Sequence, residues 1–290
     1  MKKVILIIIL ILSFTILSFA KDNVEKVYYD NGKLECEYPL KNNLRNGIAK
    51  CYYGDGEIYK EIPYKNNKRE GIEKHYYPYG SLKREIHYKN GQKEGIEKTY
   101  HINDNLWEEI PYKNGKKDGI EKTYYENGAL EREISYKNGE QHGALRGYYT
   151  NGTLQREVMF VNGKQEGSFK SYHRNRKLER ETPYVNGLKN GMTKYYYNDG
   201  ALQVEILYKD DKKEGISKGY YPSGKLAIKT LFKDDKKEDI ETIYNLDNSI
   251  LLTIVYENNI AISGKCGNGR QLNSAEISNW NKNLKNIQCE

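Results

Sequence analysis

Cysteine is scarce in this chain of 290 residues: there are four, and all lie near the ends, Cys36 and Cys51, then Cys266 and Cys289. Large apolar side chains are scarce too, with Phe 5, Met 3 and Trp 2, whereas Tyr reaches 28. Tyrosine carries a hydroxyl that needs a partner, so this composition suits half-exposed sheet surfaces better than a deep core. A strong excess of one charge is also missing. Lys+Arg 47 against Asp+Glu 40 leaves +7, which argues for mixed-sign pairing and against a nucleic-acid partner. Only one long apolar run occurs, from Val4 to Leu17, and beyond it no stretch is long enough to cross a bilayer.

That single run carries a message of its own. Lys2 and Lys3 precede it, and Ser18-Phe19-Ala20 supplies small residues at the −3 and −1 positions of a cleavage site. This is the layout of a secretory signal over residues 1–20, cut after Ala20, with the mature chain starting at Lys21. No cysteine follows closely, which argues against a lipoprotein anchor. The expected location is exported: periplasmic, cell-surface or secreted. Four cysteines in such a chain favour disulfides, and of the three possible connectivities, pairing within each end makes the shortest loops: Cys36 with Cys51 and Cys266 with Cys289.

Internal repetition organises the rest. Tyr28, Tyr52, Tyr76, Tyr100, Tyr124, Tyr148, Tyr172, Tyr196, Tyr220 and Tyr244 recur every 24 residues without insertion. With this Tyr as position zero, position six is Leu or Ile throughout, position twelve is aromatic from Tyr64 to Tyr256, and position nineteen is Gly from Gly47 to Gly215. The unit Tyr124–Gly147 shows the logic. Asn127-Gly128 reads as a tight type I′ turn, Leu130 to Tyr136 alternates with strand period, and Lys137 to Gly143 is a second, polar turn. The prediction is an all-β fold. It is an elongated antiparallel β-meander of about ten 24-residue hairpin repeats over residues 21–264, largely single-layer, on the order of 95 Å long at strand spacing.

Register follows from charge. Position nine is Glu from Glu37 to Glu205 and position twenty-two is Lys or Arg from Lys50 to Lys218. If these face each other, Cys36 and Cys51, at positions eight and twenty-three, face each other in the same register. Opposite charges across a strand pair contribute roughly 0.2–1 kcal/mol each, and the series as a whole fixes alignment. One face then carries positions one, six, ten and twelve (Tyr125, Leu130, Ile134, Tyr136), and the other carries zero, nine, twenty and twenty-two.

The last units lose the charges and gain Ile250, Leu251, Leu252, Ile254, Val255, Ile260 and Ile262. Asn273 followed by Glu276 marks a helix start, and Ile277, Trp280, Leu284 and Ile287 share one helical face. Residues 265–290 are expected to form a disulfide-tied cap whose short helix packs on the last hairpin.

No catalytic or metal constellation emerges. His75, His87, His101, His142 and His173 fall at four different repeat positions, with His101 and His173 replacing a Tyr at position one. Asp210-Asp211 and Asp234-Asp235 stand where other units have Asn-Gly and read as turn residues rather than a calcium loop. The chain is therefore expected not to be an enzyme and to need no cofactor. Two repeated features are candidate binding surfaces. One is the tyrosine row Tyr76, Tyr100, Tyr124, Tyr148, Tyr172 and Tyr196. The other is a basic turn edge with Lys68, Arg69, Lys116, Lys117, Lys212, Lys213, Lys236 and Lys237.

The unit YYxNGxLxxExxYKNGxxxGxxxxY, running from Tyr28 to about Tyr256, resembles the MORN-repeat variant, a group whose members often carry a YwqK-type antitoxin label. The resemblance implies an open β-hairpin array serving protein–protein contact and sometimes membranes, without catalytic residues to carry over. Asp104, Arg176 and Asn248 replace the tight-turn Gly, so those hairpins are expected to be looser. Together these readings favour an exported scaffold for a protein partner at the envelope, surface or host interface. The alternatives are an anionic-membrane or glycan binder using the basic edge, and a toxin-neutralising protein.

Overall fold

In the computed structural model the described residues are 23–282 and 287–289. The signal sequence expected over residues 1–20 and Leu284 of the expected helical face lie outside them.

Two turns per repeat build the sheet, and the type I′ turn expected at the first of them is found at the second. At Asn127-Gly128 only Gly128 has positive φ, +80°. Gly128 N donates to Tyr125 O at 2.8 Å, Tyr125 N donates to Ala129 O at 2.9 Å, and the Asn127 side chain accepts from Ala129 N at 3.0 Å. This is a type I turn closed by a Gly bulge, which needs one left-handed residue rather than two. The register slips by one at that bulge, so Tyr124 faces Leu130. The type I′ turn lies instead at Asn138-Gly139, where both residues have positive φ (+53° and +93°) and Lys137 directly faces Glu140. Asp210-Asp211 and Asp234-Asp235 hold the same left-handed pair of conformations, confirming them as turn residues. Asp104, Arg176 and Asn248 adopt φ of +64°, +68° and +70° and keep the turn hydrogen bonds at 2.9–3.0 Å. These hairpins are not looser; the fixed strand ends impose the left-handed conformation on non-glycine residues.

Successive turns are bonded to one another. Gly139 N donates to Lys117 O at 2.8 Å, and Asn138 N donates to Asp118 Oδ2 at 3.0 Å; Glu94 treats Asn114 N the same way at 2.8 Å. A second bulge follows the type I′ turns, and in four repeats its Gly (Gly47, Gly71, Gly119 and Gly191) packs on a proline of the preceding strand. A Cβ on Gly119 would meet Pro111 Cγ at 2.9 Å, and one on Gly191 would meet Pro183 Cγ at 3.1 Å. Proline lacks a ladder donor and is tolerated at such bulges.

The result is one antiparallel sheet of 27 strands. Six of these are two-residue pieces split from a longer strand by the second bulge, as at Lys68–Arg69 before Gly71–Tyr76. Each strand pairs with its sequence neighbours, and the sheet does not close: Asn23–Tyr28 pairs with Leu34–Lys41, and Ile260–Cys266 pairs with Ile250–Glu257. Side-chain hydrogen bonds among the described residues stay within one repeat length, as a quasi-one-dimensional array requires.

The charge register stands as read: Glu133 faces Arg146, Glu61 faces Lys74, and Cys36 faces Cys51. The ladder is continuous, because Glu133 also faces Lys122 on its other side. One face buries position ten, with Ile62 at 4% exposure and Ile134 at 6%. Opposite these, position twenty-one buries Glu73, Glu97, Glu121 and Glu241. Tyrosines at position one line this face, their hydroxyls donating to the main-chain carbonyl one turn ahead: Tyr53 to Tyr76 O at 2.9 Å and Tyr125 to Tyr148 O at 2.7 Å.

At the C-terminal end the helix Ser274–Asn281 starts from an Asn273–Glu276 capping box. Trp280 packs with Leu252, Ile254, Tyr256, Ala261 and Cys266, joined by Ile277 and Ile287. Ile287 lies beyond the helix. Sulfurs are bonded between Cys36 and Cys51 and between Cys266 and Cys289.

Candidate binding face

The opposite face is open, and three rows run along it side by side. The first is apolar. Position twenty places Ile48, Ile72, Ile96, Ile120, Ile216 and Ile240 in solvent, each between 42% and 54% exposed. Position eleven lies directly across: Ile48 faces Pro63, Ile96 faces Pro111, and Ile216 faces Leu231. Sequence reading assigned position twenty to this face but did not single it out; the signal was there, since its charged and aromatic neighbours were all assigned and Ile recurred between them.

The second row is the Glu–Lys ladder, in which Lys98 to Glu109 is a loose 3.7 Å and Lys170 to Glu181 3.8 Å, while Lys218 closes on Glu205 at 3.1 Å. The carboxylates have a second task in the third row. Tyr76, Tyr100, Tyr124, Tyr148 and Tyr172 donate their hydroxyls to Glu61, Glu85, Glu109, Glu133 and Glu157 at 2.8–3.3 Å. Burial, and then this bond to a carboxylate, pushes the hydroxyls of Tyr76, Tyr124 and Tyr172 up to about 12. Tyr196 is half-buried in the same row. The row thus offers ring edges rather than free hydroxyls. Open grooves separate neighbouring tight turns along it; one of about 310 Å³ is lined by Glu57, Ile58, Glu61, Tyr76, Tyr79 and Gly80.

The basic edge divides in two. Lys68, Lys116, Lys212 and Lys236 are exposed; Lys212 pairs with Asp234 at 3.0 Å, and Lys236 donates to Asn258 Oδ1 at 3.3 Å. Arg69, Lys117, Lys213 and Lys237 are half-buried and turn onto the other face. There their cations sit 4.7–5.1 Å from the ring centres of Tyr88, Tyr136, Phe232 and Tyr256. Three of them also bridge to the buried carboxylates: Arg69 to Glu73 at 3.1 Å, Lys117 to Glu121, and Lys237 to Glu241 at 2.5 Å. Sequence reasoning missed that these cations serve the interior, although the register already placed each position-seventeen cation beside an aromatic residue. Glu73 illustrates the balance. Burial raises its carboxyl, but His75 Nε2 at 2.7 Å, Lys60 at 3.1 Å and Arg69 outweigh burial and hold it below its ordinary value.

Among the described residues no group of three His, Cys, Asp or Glu side chains could hold a metal ion, and no helix is long and apolar enough to cross a membrane. What the geometry offers is a long ribbon surface with a 24-residue repeat.

No curated protein matches the chain. Solved structures that it resembles include a TcdB2-TccC3-Cdc42 complex, at 12% identity over 86% of this chain and 17% of that one with a TM-score of 0.19. A Tc holotoxin pore of Photorhabdus luminescens matches at 11% identity over 86% and 16%, TM-score 0.17. The chain spans about a sixth of the length of these structures, and likeness at this level transfers neither fold nor partner. The MORN repeat variant family matches nine consecutive stretches, 21–42, 45–66, 69–90, 93–114, 117–138, 141–162, 165–186, 189–210 and 213–234. With a matching 24-residue period, hairpin units and an open single sheet, this all-β repeat scaffold belongs to the MORN repeat variant family.

Proposed function

We propose that the chain is an exported scaffold that binds a protein partner along its open face. The observation that carries this is the solvent-facing Ile stripe, unbroken from Ile48 to Ile120 and flanked by a charge ladder and tyrosine rings. An apolar core beside ordered polar groups is the composition of a protein interface. Export rests on the N-terminal layout of residues 1–20 and agrees with two disulfides at the array ends; cleavage after Ala20 leaves the mature chain beginning at Lys21.

The test uses the mature chain as bait in envelope and host-cell extracts, beside two variants. One carries Ile72→Thr, Ile96→Thr and Ile120→Thr; the other carries Lys68→Gln, Lys116→Gln, Lys212→Gln and Lys236→Gln. A protein captured by the wild type should be lost with the Ile variant, kept with the Lys variant, and only weakly affected by salt. The exposed half of the basic edge supports a second reading, an anionic membrane or glycan surface. Under that reading the Lys variant loses binding, and capture collapses within a few hundred millimolar salt, on the order of a Debye length of 10 Å or less. That pattern would replace the first reading.

A further inference from the structure

The repeat is its own control, and two departures from it meet in one groove. In every other unit but the one with Ser223, position three of the tight turn is Asn or Asp, and its side chain accepts the N–H of position five, as in Asn103 to Asn105 and Asn151 to Thr153. In the third turn, position three is Tyr79, held at φ +75° behind Pro78 and 92% exposed. A bulky residue in that conformation is costly, and such positions concentrate at binding sites. Position five of the preceding turn is Glu57, an acid where the other units carry Lys33, Lys177 and Lys225 or an uncharged residue such as Asn105, Ala129 or Thr153. Glu57 Oε2 accepts from Tyr79 N at 2.9 Å, tying the departures together across the 310 Å³ groove.

The chemistry of the lining selects an occupant. Glu61 accepts the Tyr76 hydroxyl at 2.8 Å, and its cross-strand neighbours Lys50 and Lys74 make no ion pair with it among the described residues; Glu57 also has none. Ile58 and the Tyr76 ring supply apolar surface, and Tyr79 a free π-face. The equivalent groove at Tyr172, lined by Asn151, Thr153, Leu154 and Arg176, has Thr153 in place of Glu57, lacks the exposed tyrosine and carries a cation, although Glu157 still accepts the Tyr172 hydroxyl at 2.9 Å.

We propose that the Glu57–Tyr79 groove receives an arginine side chain of the protein partner. A guanidinium is flat, weakly hydrated and able to donate to two carboxylates while lying on a tyrosine ring, which a lysine ammonium cannot match. The inference rests on the protein-binding reading and names the chemistry of one anchor.

Titration of capped arginine (N-acetyl-arginine-N-methylamide) into the 15N-labelled mature chain tests it, with capped lysine and capped glutamine as comparison probes. Amide shifts should centre on Glu57, Ile58, Tyr79 and Gly80 and leave Thr153 and Arg176 unmoved. Capped lysine should bind several-fold more weakly. Glu57→Gln and Tyr79→Asn, the second restoring the ordinary turn, should each weaken binding roughly tenfold with unchanged far-UV dichroism. Shifts spread evenly along the array, equal response to capped glutamine, or insensitivity to both substitutions would overturn the proposal. If the partner is lost with the Ile variant but bound normally by Glu57→Gln and Tyr79→Asn, the groove assignment fails while the binding face stands.

Discussion

Adjacent tyrosines at the start of most repeats do different work. The first gives its hydroxyl to a carboxylate on the open face, the second to a main-chain carbonyl on the closed face. His101 takes the second place in its unit, and its Nε2 is buried without a hydrogen-bond partner, whereas Tyr125 and Tyr149 reach their carbonyls at 2.7 and 2.8 Å. His101→Tyr should therefore supply the missing bond to Tyr124 O and stabilise the chain by about 0.5–1.5 kcal/mol. A thermal melt no higher than that of the wild type would contradict it. The first row sets an alkaline limit. Tyr76, Tyr124 and Tyr172 move from 10.0 to about 12 on folding, so the folded state holds on to phenolic protons that the unfolded chain releases. The stability they lend is complete below pH 10 and is lost as pH rises from 10 through 12. Phenolate absorbance and far-UV dichroism should change together in that window; free ionisation near pH 10 with the dichroism intact would show that the hydroxyls are not engaged.

At the scale of the hairpin, the continuous ladder changes what charge reversal does. Glu133 lies between Lys122 and Arg146, and Arg146 lies between Glu133 and Glu157. Glu133→Lys meets like charge on both sides, a loss of several tenths of a kcal/mol per side. Adding Arg146→Glu mends the shared pair but leaves the new lysine beside Lys122 and the new glutamate beside Glu157, so recovery should be partial. A double-mutant cycle with urea melts reads the shared term; zero coupling would mean these side chains do not interact. The period and this register were legible because side-chain alternation and charge repeat in every unit, and so were the two faces except at position six. The bulge sets Leu130 opposite Tyr124 and Ile58 beside Tyr76 in the open groove, not on the face of positions one, ten and twelve where alternation alone placed it. The turn types were not, because Asn-Gly serves a type I bulged turn as readily as type I′; only the backbone at Asn127 and Asn138 separates them. Nor was the buried carboxylate row: Glu121 and Glu133 look alike in sequence, and one is sealed only because Lys117 and Arg132 fold over it.

For the whole molecule, contacts that reach only the next repeat mean that length is adjustable. Removing residues 125–148 joins position zero to position one of the following unit, so all remaining register is kept. The shortened chain should fold with the same strand signature and lose roughly 9–10 Å along the sheet, two strand spacings. X-ray scattering in solution measures that change, and collapse into an unfolded or aggregated chain would refute nearest-neighbour stability.

The two margins of the sheet are unlike. At the last strand, Ala261 has both its main-chain groups satisfied by the Asn281 amide, at 2.8 and 2.9 Å, and Gly264 O accepts from Leu272 N at 2.9 Å. At the first strand, every residue from Asn23 to Tyr28 is exposed. A fibre grows only when each subunit offers two complementary margins. Here one margin is plugged, so edge-to-edge addition ends after a single joining event, and a protein that is almost entirely pleated ribbon carries its own protection against amyloid-like growth.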